Sequence, residues 1–330
     1  MKTIHLVIPD LQLPAEFAAE VCADLALPAL KKLLARGKTQ ALPRSDSLEA
    51  CLCDAFGLAS LPIAALSAQY DGLPQGRWLR ADPVNLTLQR DRLCLGTPPV
   101  LPSEATEFCA HLNTYFAAQG LRFCAPHPQR WYLNLDKLPT VTTTPLAHVL
   151  GENVRNALPT GENTAYWHQI FNEIQMLLYS HPVNAQREQR GVAAINSVWF
   201  WGEGAWVDAA SPYTAVSSDT QLADIFATAA HIPFTPWQTK WDSTSPRQLL
   251  VWTALQRAVQ QGDFAAWRTA ILEFEQNYAQ PIWQALCRGD IAQLTLDSLG
   301  NAHPTRIQLA RHDTWAVWRR ETELFKETRI

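Results

Sequence analysis

Near the start of the chain, residues 3–11 read TIHLVIPDL, a compact apolar run with β-branched side chains that closes on Pro-Asp. Such a run predicts a buried strand with a carboxylate, Asp10, at its carboxyl end. A helix should follow. Pro28 opens it, Leu30, Leu33 and Leu34 share one face, and Gly37 closes it. After a short strand, RSDSLEACLCDAFGL places Leu48, Cys51, Leu52 and Ala55 at helical spacing, with Ser45, Asp46 and Ser47 available as caps. Strand, helix, strand and capped helix in this order predict an α/β fold.

The composition narrows the classes. At 330 residues, 47% hydrophobic and 18% charged, the chain can bury a large core, and about two domains are expected. A net charge of −4, with both signs interspersed, offers no basic footprint for nucleic acid or an anionic membrane. The 13 tryptophans sit among apolar neighbours and read as core. Seven irregularly spaced cysteines, with Cys51 and Cys53 as an isolated C-x-C pair, suggest reduced, mostly buried thiols. The opening MKTIHLVIPDLQLP is too short in its apolar run for a signal peptide, and no window approaches the ~18 apolar residues of a membrane span. A soluble, cytoplasmic protein is the expectation.

From Trp78 the texture changes. WLRADPVNLTLQRDRLCL alternates like two strands about Gln89–Asp91, SEATEFCAHLNTYFAAQGL is a helix ended by Gly120, and RFCAPHPQRWYLNL resumes strand character. The amphipathic helix YWHQIFNEIQMLLYSH leads into HPVNAQREQRGVAAINSVWFWGEG, where INSVWFW reads as a strand and Gly202 and Gly204 as a turn beyond it. Farther on, Trp267, Ile271, Phe274, Tyr278, Ile282 and Leu286 form one stripe of a long helix. IAQLTLDSL is a strand ending near Asp297, and TRIQLARHDTWAVWRR a closing hairpin or strand pair. The expected architecture is a core of residues 1–77 and 195–330 interrupted by an inserted α+β domain at 78–194.

Ligands of open α/β sheets gather at the carboxyl ends of strands. Asp10, Asp297 and the Gly202–Gly204 turn are the features there. With Ser45 at a helix N-terminus they would suit metal-assisted phosphoryl chemistry. Each also has a plainer reading, as a turn, a cap or a solvated helix end.

The order of these pieces resembles the archaeal-type, cofactor-independent phosphoglycerate mutases of the alkaline phosphatase superfamily. HLVIPDL is similar to that family's opening metal-binding strand, LALPALKKLLARGKTQ to its TPNLDxLAxxG helix, and LPRSDSLEACLCDAFGL to its PGSDxAxLSLLGYDP segment. GRWLRADPVNLTLQRDRLCL is similar to DVAFRCNxATV at the start of the inserted domain. Residues 181–204 closely resemble HPVNxxRxxxGxxPANxxxxRGxG. The chain also resembles the bacterial RpfE-type regulatory offshoot.

The resemblance implies an alkaline-phosphatase-like core whose mainly parallel sheet is sandwiched by helices. It puts Ser45 in the nucleophile's place, Asp10 and Asp297 at metal positions, and Arg80, Asn184 and Arg187 at positions facing substrate, while Arg44 replaces a glycine beside Ser45, where it would crowd the pocket or bind substrate by gripping an anion. Other metal positions have changed. WTALQRAVQQGDF, residues 252–264, lacks the expected Asp and His, the Asp-His pair reads Asp297–Ser298, and His303 and His312 stand in no recognisable metal motif. Two neighbouring divalent ions need many hard or histidine ligands. The expectation is therefore a degenerate phosphomutase with no resident cofactor, in which Ser45, Asp10 and Asp297 are vestigial. It would have a binding or regulatory role toward a small phosphorylated ligand or a protein partner. Arg80, Asn184 and Arg187 would hold an anion or else stabilise the domain junction. The alternatives are an active mutase or phosphatase using Ser45 with Mn or Zn, and an interaction module with an exposed Trp-rich surface built from VWFWGEGAW and TPWQTKWD.

Overall fold

The computed structural model describes residues 2–42, 47–151, 153–300, 304–316 and 319. Ser45, Arg44 and His303 lie outside these residues. In chain order the elements are β1 (Lys2–Pro9), α1 (Ala15–Val21), α2 (Pro28–Arg36), β2 (Lys38–Ala41), α3 (Leu48–Ala55), α4 (Ile63–Tyr70), β3 (Arg77–Gln89) and β4 (Arg92–Gly96). Then come α5 (Pro102–Tyr115), β5 (Arg122–His127), β6 (Arg130–Asn134), β7 (Val141–Thr142), α6 (Leu146–Val149), β8 (Thr160–Gly161), α7 (Thr164–Tyr179), α8 (Pro182–Gln189) and β9 (Ser197–Ala205). The last stretch holds β10 (Ala215–Ser218), α9 (Gln221–Ala229), β11 (Phe234–Pro236), β12 (Arg247–Val251), α10 (Ala254–Gln260), α11 (Phe264–Phe274), α12 (Gln280–Arg288), β13 (Ile291–Leu299) and β14 (Thr305–Ala310).

Two compact units result, residues 1–59 with 209–330 and residues 60–208. The second is wider than the 78–194 span expected from texture. It takes in α4 ahead of that span and β9 after it, because β9 runs antiparallel to β3 from Val84↔Ser197 to Arg77↔Ala205.

The first unit is a seven-stranded sheet in the order β11-β10-β12-β1-β13-β14-β2. From β11 to β13 all neighbours are parallel, and β14 joins antiparallel to β13 and β2. This is the α/β architecture that the cadence predicts, with the mostly parallel sheet that the resemblance implies. One face carries Ile4, Leu6, Ile8, Leu250, Leu294, Leu296, Ile307 and Leu309 against Leu30, Leu33, Trp267, Ile271, Ile282 and Leu286. On the other face Phe56, just beyond α3, packs on Phe226 of α9 with ring centroids 5.2 Å apart.

Two local readings are realised closely. Pro28 opens α2, and Ser47 caps α3 by accepting from the Ala50 amide at 3.1 Å. The long helical stripe is broken, however, by a single π turn, Glu275–Ala279, between α11 and α12. Pro281 sits in the first turn of α12, where its missing N–H and its ring oppose a continuous α-ladder. The π turn buries Glu275, whose carboxylate accepts from the Ala29 and Leu30 amides at 2.8 and 2.9 Å. An anion thus meets the positive end of α2.

The second unit is built on an antiparallel sheet in which β3 pairs with β4, β6 and β9, and β5 pairs with β6. The glycines of WGEG do not make a turn beyond the strand; β9 continues through both of them. Gly202, at φ 68°, lies in the register shift where β9 spends one more residue than β3. A Cβ on Gly204 would stand 2.4 Å from the Pro62 Cα, so this glycine lets α4 lie on the strand. Gly204→Ala should overpack that contact, at about 1–3 kcal/mol. Thermal denaturation is expected to show a midpoint several degrees lower, and an unchanged midpoint would refute the close approach. The two segments read alternatively as a Trp-rich interaction surface hold no fully exposed tryptophan among the described residues. Trp199 and Trp201 are buried, and Trp206, Trp237 and Trp241 are half-buried, the last two against the core of the first unit.

Candidate functional site

Asp297 is the carboxylate with the most elaborate surroundings. It lies in β13, register partner of Val7 in β1 and of Arg306 in β14, and is 0% exposed. Arg306 grips it with a planar fork, Nε on Oδ1 and Nη2 on Oδ2, both at 2.7 Å. Nε2 of His5 reaches Oδ2 at 2.7 Å, and the Cys51 thiol donates to the same oxygen at 3.5 Å. Burial pushes the Asp297 carboxyl up, but hydrogen bonds from Arg306 and His5 outweigh it and hold the group below the usual carboxylate range. The Arg306 guanidinium is correspondingly held above its ordinary value, first by its hydrogen bond to Asp297.

Against an ionised Asp297, Nε2 of His5 carries hydrogen. The Tyr213 hydroxyl stands 2.5 Å from Nδ1 of the same ring. Burial, then the nearby Asp297 charge, raises Tyr213, so the phenol keeps its proton. Burial and then Asp297 likewise push the Cys51 thiol well above its usual range. The result is a chain from Arg306 through Asp297 and His5 to Tyr213, in which the guanidinium balances the carboxylate.

Asp10 is placed differently. It follows β1 in the left-handed region at φ 54°, a conformation that Asp tolerates better than most residues. Its amide donates to the Leu299 carbonyl at 2.8 Å, and its own carbonyl accepts from the Trp267 indole at 3.1 Å. Gly300 makes room for its carboxylate: a Cβ there would fall 2.3 Å from Oδ1. Because Asp297 is level with Val7, Asp10 stands three positions farther along the strand. At ~3.3 Å per residue that is about 10 Å.

The described residues do not fit a two-metal centre. No group of three or more His, Cys, Asp or Glu side chains among them is placed to hold a metal ion. The Asp297 oxygens already face a guanidinium, which cannot give up its proton to make way for a cation. His312 is exposed, 3.6 Å from Asp313, in a short 3₁₀ turn.

In the second unit the residues at substrate-like positions are engaged by the scaffold. Arg80 is buried and forks onto Asp82, Nε at 2.9 Å and Nη2 at 2.7 and 2.8 Å, while Nη1 reaches Ser67 at 3.3 Å. Trp201 donates to Asp82 at 2.7 Å, and the Arg80 plane lies over the Trp201 and Tyr132 rings. Asn184 donates to the carbonyls of Leu178 at 2.7 Å and Ile195 at 2.8 Å, and accepts from the Ile195 amide at 2.9 Å. Arg187 is 1% exposed. It donates to the Ala193 carbonyl at 2.9 and 2.8 Å, to the Pro99 carbonyl at 2.9 Å, and to Glu104. His181 caps α8, and Asn196 pairs with both backbone groups of Leu86 at 2.7 and 2.8 Å. The ordered HPVN…R…N stretch therefore ties the end of α7 and the entry to β9 onto the sheet.

Sequence reasoning missed His5, Arg306, Tyr213, Asp82 and Glu104. The signal available was a histidine inside an otherwise apolar strand, HLVI, where burial demands a polar partner.

No family model matches the chain. A 2,3-bisphosphoglycerate-independent phosphoglycerate mutase of Methanosarcina mazei is 33% identical over 61 residues, 18% of this chain and 15% of that relative. A probable enzyme of the same description from Geobacter sulfurreducens is 31% identical over 64 residues, 19% of this chain and 16% of the relative. The matched segment is thus under a fifth of the length of these curated relatives. The solved structure of the PH0037 protein from Pyrococcus horikoshii aligns over 94% of this chain and 87% of its own, with a TM-score of 0.56 and 12% identity. No described helix is long and apolar enough to cross a membrane. Set beside the mostly parallel, helix-covered sheet, these partial likenesses support a phosphomutase-like fold for the chain.

Proposed function

We propose that this chain is a phosphomutase-like protein that has left two-metal phosphoryl transfer behind and serves a binding or regulatory role, in the manner of the RpfE-type proteins that it resembles. The observation that carries the reading is the buried Arg306–Asp297–His5 cluster. A metal position needs carboxylate oxygens open to a cation, whereas here a permanent positive charge occupies both. The loss of the Asp and His positions in residues 252–264 supports the same reading. Arg80, Asn184 and Arg187 then hold the second unit together.

The test is metal content together with turnover. Untagged protein incubated with Mn²⁺ and Zn²⁺ and then desalted is expected to retain less than one ion per chain. It should not interconvert 2- and 3-phosphoglycerate above a no-protein control. Two tightly held ions, or turnover abolished by Ser45→Ala, would restore the reading as an active enzyme with Ser45 as nucleophile.

A further inference from the structure

We infer that the first unit carries a binding site for a small oxyanion on its sheet, in the concavity framed by Thr3, His5, Tyr213, Arg247, Gln293 and Thr295. These residues lie toward the amino-terminal ends of β1, β12 and β13, whereas Asp10 lies just beyond the carboxyl end of β1. The inference does not depend on whether phosphoryl transfer has been lost.

The pattern on the sheet is the first argument. Register places Thr3 and His5 of β1 beside Gln293 and Thr295 of β13, with Arg247 of β12 level with Thr3. Farther along the same face, Val7, Leu249 and Val251 are fully buried beside Asp297, whose charge Arg306 meets. A stretch of sheet that presents hydroxyl, amide, imidazole and guanidinium groups is expensive to cover with protein and suited to a polar ligand.

The state of the side chains is the second argument. Among the described residues, Thr3, Gln293, Thr295 and Arg247 make no side-chain hydrogen bond or ion pair. Together they offer five guanidinium N–H groups, an amide NH₂ and two hydroxyls. No carboxylate lines the concavity, since Asp297 is turned to Arg306 and His5. Among the described residues that line it, Arg247 is the one Lys, Arg, Asp or Glu.

The frame is also held in advance. The Thr214 hydroxyl accepts from the Arg247 amide and donates to its carbonyl, both at 3.1 Å, and Ser211 accepts from the Tyr213 amide at 3.1 Å. The Tyr213 ring is tied to His5 and rests against Phe56, with centroids 6.0 Å apart. The volume, about 170 Å³, is roughly five to six times the ~30 Å³ share of one liquid water. That suits an oxyanion of about five or six heavy atoms, such as inorganic phosphate or a small hydroxycarboxylate.

Inorganic phosphate is the probe. The ¹⁵N-labelled full chain is titrated with sodium phosphate at low ionic strength, with sodium chloride of equal ionic strength as the reference. Saturable amide shifts are expected at Thr3, His5, Tyr213 and Thr295. The exposed side chain of Arg247 makes Arg247→Gln a benign change for folding, and it should weaken the apparent affinity at least threefold. Thr295→Val, which removes one donor at constant shape, should weaken it as well. Shifts that do not saturate, that centre on other residues, or that persist in Arg247→Gln with less than a threefold loss would overturn the site.

Discussion

Replacing Arg306 with alanine is expected to cost about 3–5 kcal/mol of unfolding free energy, because it strips a fully buried carboxylate of its main counter-charge. Asp297 would keep only His5 and the weak Cys51 donor. Arg306 is 19% exposed, which places the expectation nearer the lower figure. Chemical denaturation measures it, and the double variant Arg306→Ala/Asp297→Ala should recover part of the loss, giving a coupling of about 2 kcal/mol or more. The pH dependence follows from the same pair. Asp297 has a folded pKa below its unfolded value, so its contribution is fully present above pH ~3.9 and is lost as pH falls through the lower folded value. In Arg306→Ala burial is no longer outweighed, so the carboxyl is raised above its unfolded value and protonation favours the folded state; the acid loss owed to Asp297 should disappear, and the cost of the substitution should shrink as pH falls. A cost below about 1 kcal/mol, or an unmoved acid limb, would mean that the guanidinium is not what satisfies this carboxylate. The proposal that Asp297 no longer serves a metal would then fail with it.

How far the sequence foretells such a cluster depends on the distance over which its parts are joined. The strand TIHLVIPDL, the Pro28 helix and the Ser47 cap are local matters of side-chain period and backbone donors, and they are legible. Asp297 is legible as a carboxylate near a strand end. Its partners are not, since His5 lies 292 residues away in sequence and meets it only through the parallel pairing of β1 with β13. Arg306 is nine residues on, within reach of a hairpin reading, yet only the β13–β14 register decides that it faces Asp297. The glycines at 202 and 204 mislead for a related reason. Positive φ and missing Cβ atoms suit a turn, a bulge or a close helix equally well, and the choice belongs to Pro62 and Ile63 of the packed segment. The Arg80–Asp82 pair is two residues apart on one strand, where i and i+2 share a face. It was available to a reader intent on which carboxylate satisfies each buried arginine.

The same question gives the second large effect, at Glu104. Arg187 and Glu104 are both buried, and Arg190 adds a second, half-exposed guanidinium to the carboxylate. Burial pushes Glu104 up, but the Leu101 amide and the two arginines hold it below the ordinary range. Glu104→Ala leaves a guanidinium 1% exposed with two carbonyl partners and no counter-charge. A loss of about 3–5 kcal/mol is expected. Glu104→Gln keeps an acceptor for Arg187 and should cost less, because hydrogen bonds survive where the ionic part does not. A double-mutant cycle with Arg187→Ala should return a coupling of about 1.5–3 kcal/mol. This cycle also bears on what Arg187 is for. A guanidinium kept free to grip an anion would be little affected in stability by losing Glu104 and would gain affinity for phosphate. One committed to the scaffold would lose stability and gain no ligand. The second outcome is expected, since all three guanidinium nitrogens already donate within the unit. A neutral Glu104→Ala that binds phosphate at the Arg187 side chain would return the anion cleft to the second unit.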